Sequence, residues 1–432
     1  MLRVFLMSTF LPGRPVSASD PDARAVPGAH PLVVLAGLLL LAVNLRSPLA
    51  GYPPLLAMAG RDLAAPAGVT GLVQSSVVLM MAAGSFAGSA VGARLGRERA
   101  LGAAVALVAA GGLVRGVPSL ASLIAGGVLV GLGLGVAGVL LAGVVKDRLP
   151  GRVGAVTGGY VVAMMLGSTV ASAAAVPVAR VLGGWSFSLA AWAVPALLAV
   201  VVWTVLTRRM TRSRTARTPG SPSSCGGLRR WAACYQGGTS LLVYGWSTWL
   251  PAYYASHGIG AQHAGLLLAV WSLAHIPAGL LVPALAERRR RWRFWSTLTL
   301  ACAVTGTLGA LLLPVPPVVG PWPWVVLLGV AGGAGFPLGL AVIAWRTPDA
   351  GTSAAVSGFA LGAGYLAAGL GPLLMGLLID ATGGYPAGIA LMLLAAAGQG
   401  LAIARIGDAR GPVRGREAPA SSAGLGVRAA GR

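Results

Sequence analysis

The stretch Gly71–Arg94, GLVQSSVVLMMAAGSFAGSAVGAR, holds a single charge, and that charge is its last residue. A helix needs about 20 mostly apolar residues to cross a bilayer core, and this run supplies them. The same plan returns at Gly265–Arg288 as GLLLAVWSLAHIPAGLLVPALAER, 194 residues later. Each run closes on a basic turn, Gly96–Arg99 in the first case and Arg288–Arg291 in the second. Further on, AVTG at Ala155 pairs with AVSG at Ala355, and GGW at Gly183 with GGY at Gly383, both 200 residues apart. The drift between the two offsets requires a small insertion. Two blocks in one order, each with its own membrane run, read as two related halves.

Working outward, twelve apolar runs lie near 32–54, 69–92, 100–117, 119–144, 153–178, 185–206, 231–254, 262–285, 294–313, 322–344, 354–378 and 385–403. Of 432 residues, 56% are hydrophobic and 10% charged, and the mean hydropathy is +0.80. Soluble chains carry about 25% charge, so this one cannot clothe a water-facing surface. The 65 glycines and 29 prolines suit helices that pack closely and bend. The expected fold is an all-α membrane protein, twelve spans in two pseudo-symmetric six-helix bundles. Its expected parts are a tail at 1–30, a first bundle at 31–207, a linker at 208–229, a second bundle at 230–404, and a tail at 405–432. Both tails read as disordered, and no convincing signal peptide precedes the first span.

A net charge of +22 invites a nucleic-acid partner, and its distribution argues against one. Of 32 Lys and Arg, 28 fall in alternate loops and the tails on one side of the spans. The other side holds Arg61, Arg115 and Arg180, and Arg46 stays within a span. This bias places both termini and the 208–230 segment in the cytoplasm, as expected of a multi-pass protein of the cell (plasma) membrane. The three cysteines show no disulfide or metal spacing. Neither a Walker motif nor a Ser/His/Asp set appears. The glycine run GVLVGLGLGVAG, Gly127–Gly138, reads as a packing face within a helix. Trp292 and Trp295 on one side, with Trp322 and Trp324 on the other, read as interface anchors.

These residues resemble the major facilitator superfamily, in its cyanate/nitroimidazole-type branch. The resemblance runs over about Leu32–Ile403. It rests on NLR at Asn44–Arg46, the Val145–Tyr160 stretch, Gly183–Trp185, Ser240–Pro251, and above all Ser357–Gly384. It implies a loop that governs conformational change, here Gly92, Arg94, Gly96 and Arg97. Ala93 stands where the superfamily normally has Asp. It also implies cavity-facing positions at Asn44, Thr239, Leu361 and Gly138, where Thr239 and Leu361 replace an expected Gln and Gly138 an expected Asn. Helices 1, 4, 7 and 10 of the fold it resembles line the cavity, which favours Tyr244 among the tyrosines.

The candidate chemistry starts from Arg46. A cation near mid-membrane costs roughly 2.5–3.5 kcal/mol even on lenient scales. It either reaches an interface or helix carbonyls, or it receives an anionic solute. Pro48 weakens the local backbone ladder, and every one of the ten acids maps to a loop, a tail or a helix end. His275 is the one histidine within a span, either bonded to a neighbouring helix or free to titrate. Tyr160, Tyr244 and Tyr365 offer phenolic donors. The expected function is a secondary active or facilitative carrier of a small solute, an anion of the cyanate or small organic type, working by alternating access. The alternatives are a drug-type exporter of an amphipathic compound and, behind it, a polytopic membrane enzyme. The chain is expected to be a monomer in a lipid bilayer and not an enzyme, with no cofactor or metal and no nucleic acid.

Overall fold

The computed structural model describes residues 31–148, 153–207, 226–289, 291–347 and 350–406. The tail at 1–30, the segment 208–225 with Cys225, and the tail beyond 406 lie outside them. Among the described residues every regular element is a helix. In lipid a backbone must satisfy its own polar groups, which a helix does within one segment.

The first span is split into α1 (Pro31–Asn44) and α2 (Ser47–Ala50). A 3-10 turn at Pro53–Leu55 and α3 (Leu56–Asp62) follow. Next come α4 (Ala67–Leu95), α5 (Arg97–Val114), α6 (Leu120–Arg148) and α7 (Val153–Leu182). The sixth run is bent into α8 (Trp185–Ala191) and α9 (Ala193–Thr207). The second half contains α10 (Gly226–Ser256), α11 (Ala261–Arg289) and α12 (Trp292–Leu312). It ends with α13 (Trp322–Arg346), α14 (Ala350–Thr382) and α15 (Pro386–Ile406).

Each of the twelve expected runs is helical, and among the described residues ten candidate spans are long and apolar enough to cross a membrane. The exceptions are α5 and α10. The 18 residues of α5 open on Arg97, Glu98 and Arg99, so no full-length apolar window remains. At 31 residues α10 is long enough, but Arg229, Arg230, Gln236, Thr239 and Ser240 dilute it.

The helix pairing repeats between the halves. α1 packs on α7 and α9 as α10 packs on α14 and α15. α6 packs on α4 and α5 as α13 packs on α11 and α12. The halves meet through α4 against α14 and α7 against α11, one pair being the symmetric image of the other. The GGW/GGY repeat also has a structural counterpart. Gly183 and Gly383 follow α7 and α14 with φ of 79° and 72°, left-handed values that favour glycine.

The glycine run lies inside α6 and packs on α4, as its packing reading required. A Cβ on Gly131 would sit 2.2 Å from the Val77 carbonyl oxygen, and one on Gly135 2.1 Å from that of Met81. Trp292 departs from its expected interface role. It is buried and donates to the Leu338 carbonyl at 2.8 Å.

Candidate functional site

The site is built around a break in the first span. Pro48 has no N–H to offer the Asn44 carbonyl, and α1 stops at Asn44. Arg46 takes φ −121° and ψ −25° at the start of α2. Ser47 Oγ donates to the Val43 carbonyl at 2.7 Å. Neighbouring spans donate to the next carbonyls. Gln74 Nε2, from α4, reaches the Leu49 oxygen at 3.2 Å, and Arg115 Nη1, just past α5, reaches that of Pro48 at 3.1 Å. Behind the break, a Cβ on Gly167 of α7 would lie 2.3 Å from the Val43 oxygen.

The Arg46 guanidinium leaves this break and crosses to the other half. It lies over the Tyr244 ring, 5.9 Å from the centroid, within the range of a cation–π contact. His275 and Tyr365 lie within its electrostatic range. Among the described residues no hydrogen bond or ion pair engages the guanidinium.

His275 donates from Nδ1 to its own helix's Trp271 carbonyl, 2.9 Å away, rather than to a neighbouring helix. Its ring centroid is 4.0 Å from that of Trp271. It fits against glycine, since a Cβ on Gly332 would come within 2.6 Å of Nε2. With Nδ1 as the donor, the neutral ring keeps Nε2 as an acceptor.

The structure brings Arg46, Tyr244, His275 and Tyr365 together, and the other candidates lie elsewhere. Asn44 is buried, with its amide donating to the Leu40 and Pro195 carbonyls at 2.8 and 3.2 Å, towards α9. Thr239 turns into the interior of the second half, bonded to the Tyr235 carbonyl and to Gln399. It lines a cavity of about 20 Å³ there, room for one water. Tyr160 packs on the core of the first half. Leu361 is half-buried on α14. Gly138 borders open space, with nothing within 4 Å of a Cβ built there.

In the 92–97 loop, Gly96 has φ 84°, Arg94 is exposed, and Gly92 packs on Leu140. Arg97 lies along α6 at Gly143. Arg115 is a further correction. Counted with the loop cations, it is instead 1% exposed and faces the Tyr52 ring at 5.8 Å. Neither it nor Gln74 stood out in the sequence, because one basic residue after an apolar run reads as a loop.

The two ends of the molecule differ. At the end holding residues 62–67 and 380–386, the halves touch backbone to backbone. A Cβ on Gly376 would be 2.5 Å from the Ala67 oxygen, and one on Gly71 2.5 Å from that of Pro372. Asp380 accepts the Ala67 and Gly68 amides at 2.8 and 2.6 Å, across the halves. Arg180 donates to Gln262 at 3.0 Å at the same end. A cavity of about 590 Å³ opens outside this contact, between Pro53, Arg61, Trp249 and Tyr385, and Arg46 is not in its wall. At the other end a Cβ on Gly158 would meet only the Leu280 side chain, at 4.0 Å, and one on Gly358 would meet nothing.

Comparison with known proteins follows this geometry. A family model described as Major Facilitator Superfamily matches residues 34–328. The 2-nitroimidazole transporter of Escherichia coli (strain K12) is 33% identical over 392 residues, 89% of this chain and 98% of that protein. The cyanate transport protein CynX of the same organism is 30% identical over 204 residues, 46% of this chain and 51% of that protein. The inward open conformation of the E. coli xylose transporter XylE superimposes with a TM-score of 0.68 at 13% identity. That match covers 87% of this chain and 95% of the other.

Proposed function

This chain belongs to the major facilitator superfamily, and from that premise we propose that it carries a small, flat, electron-rich solute, an anion in the first instance. It is a multi-pass membrane transporter. The observation that supports the solute class is Arg46, a cation in a broken span that, among the described residues, has the Tyr244 ring beside it and no hydrogen-bond or ion-pair partner. A cation left without an ion pair at membrane depth is costly, and an anionic solute offsets that cost. The planar guanidinium fork engages two acceptor oxygens at once, and the buried Tyr244 ring beneath it supports the guanidinium from the other half. The relatives named for cyanate and 2-nitroimidazole support a compact solute rich in acceptors.

The positive-inside bias assigns both termini to the cytoplasm and the Asp380 end to the outside. The state is then closed outwards and open inwards. Alternating access proceeds by releasing the Asp380 contacts and closing the opposite end around Arg46. With no carboxylate beside Arg46 among the described residues, transport is exchange or facilitated diffusion unless His275 carries a proton.

The test is uptake by liposomes containing the purified protein, using cyanate, other small anions and 2-nitroimidazole, with and without a pH gradient. Saturable uptake of a small anion is expected. Uptake confined to larger amphipathic compounds would replace this reading with the exporter alternative.

A further inference from the structure

A membrane helix that breaks must find donors for the carbonyls it frees. Here two polar side chains from different spans fill that need on consecutive residues, Arg115 at Pro48 and Gln74 at Leu49. Both are 1% exposed. Each retains buried polar atoms without a partner: Nε and Nη2 of Arg115, and Oε1 of Gln74. Apolar residues would pack there without those orphaned atoms, so generic packing does not explain the choice. A cation there is costlier still, and it donates to a backbone carbonyl in place of pairing with an acid.

The fit around Arg115 is also specific. Its chain presses on α6, where a Cβ on Gly126 would lie 2.6 Å from Arg115 Cγ, so Gly126 leaves the room the side chain occupies. Tyr52, beyond the break, covers the guanidinium and itself donates to the Thr70 carbonyl on α4 at 3.2 Å. The segment from Ser47 to Tyr52 is therefore tied to α4 and to the end of α5 at three points.

We infer that Gln74 and Arg115 are positioning residues, clamping α2 so that Arg46 is presented to the space between the halves. The inference rests on the reading of Arg46 as the solute-facing cation, and its test needs no solute. In a background with Cys225, Cys234 and Cys302 replaced, Arg46→Cys reports the presentation of position 46. Its modification rate by a small anionic thiol reagent is measured in purified protein. Gly138→Cys, at open space in the first half, serves as the reference.

Adding Gln74→Leu or Arg115→Met should lower the rate at position 46 about tenfold while leaving position 138 unchanged. Arg115→Lys, which keeps a donor, should restore most of the loss. An unchanged rate at position 46 would overturn the clamp. So would parallel changes at 46 and 138, which would make the two residues general supports of the fold. If Arg115→Met does not fold, Gln74→Leu decides the matter. Loss of the clamp would leave the Arg46 reading to its own transport test, and failure of that reading would leave the modification result standing.

Discussion

The two ends of the transporter are built to different standards. At the Asp380 end, glycines let backbones of opposite halves touch, and a carboxylate takes two amides at the start of α4. An anion at a helix N-terminus is favoured by the free amides and by the helix dipole. At the opposite end Gly158 of α7 faces a single side chain and Gly358 of α14 faces open space. That end also carries Ala93 at the position where the family resemblance implies an acid. The contrast teaches that closure is written into positions as well as into residue types: a glycine where backbones meet, an acid where a helix begins. Among the described residues, one end displays its closed contacts and the other displays none like them.

The largest effect should follow from filling a backbone contact. Gly376→Val places atoms where the Ala67 carbonyl sits, and overpacking costs typically 1–3 kcal/mol. The closed end should open, lowering transport at least about tenfold. A cysteine at Ala252, in the wall of the outer cavity, should label faster with an impermeant reagent. An unchanged labelling rate would mean that this contact does not set the closed state.

A smaller effect is expected from Asp380→Asn. The amide keeps one acceptor oxygen and loses the charge, and a hydrogen bond to a charged group contributes about 1.5–3 kcal/mol when shielded from solvent. Asp380 is exposed, so the loss is discounted to about 1 kcal/mol or less. Labelling at position 252 should rise by roughly threefold to fivefold. Asp380→Glu, with a longer reach, should fall between. The smallest effect belongs to the other end. Gly358→Ala adds a methyl group to empty space and should change transport by less than about twofold, within the range of neutral surface substitutions.

Much of this architecture was legible in the sequence, because a span announces itself by length and hydropathy. The exceptions were α5 and α10, whose arginines and amides make them helices without making them plainly lipid-crossing. The break at Arg46 was half visible: Pro48 marked where the ladder fails, but Gln74 and Arg115, which donate to the Leu49 and Pro48 carbonyls just beyond it, come from elsewhere in the chain. Facing was the hardest property to read. Asn44 and Thr239 were expected at the cavity and turn into their own halves. Spans apolar on every side carry no stripe to say which face is inward. Tyr244 lies against Arg46, with His275 and Tyr365 in its electrostatic range, because the second half packs on the first, a tertiary fact that no local pattern records.

Both ends matter only if the cation between them meets the solute. The direct test is uptake of cyanate and other small anions by liposomes holding Arg46, Arg46→Lys or Arg46→Gln protein, matched for inserted amount. The account predicts that Lys, which keeps the charge and loses the planar fork, weakens binding and leaves partial uptake. Gln should abolish uptake while the protein remains inserted and stable, because removing a charge without an ion pair at membrane depth relieves a cost. A well-inserted Arg46→Gln protein that transports the anion at the normal rate would contradict it.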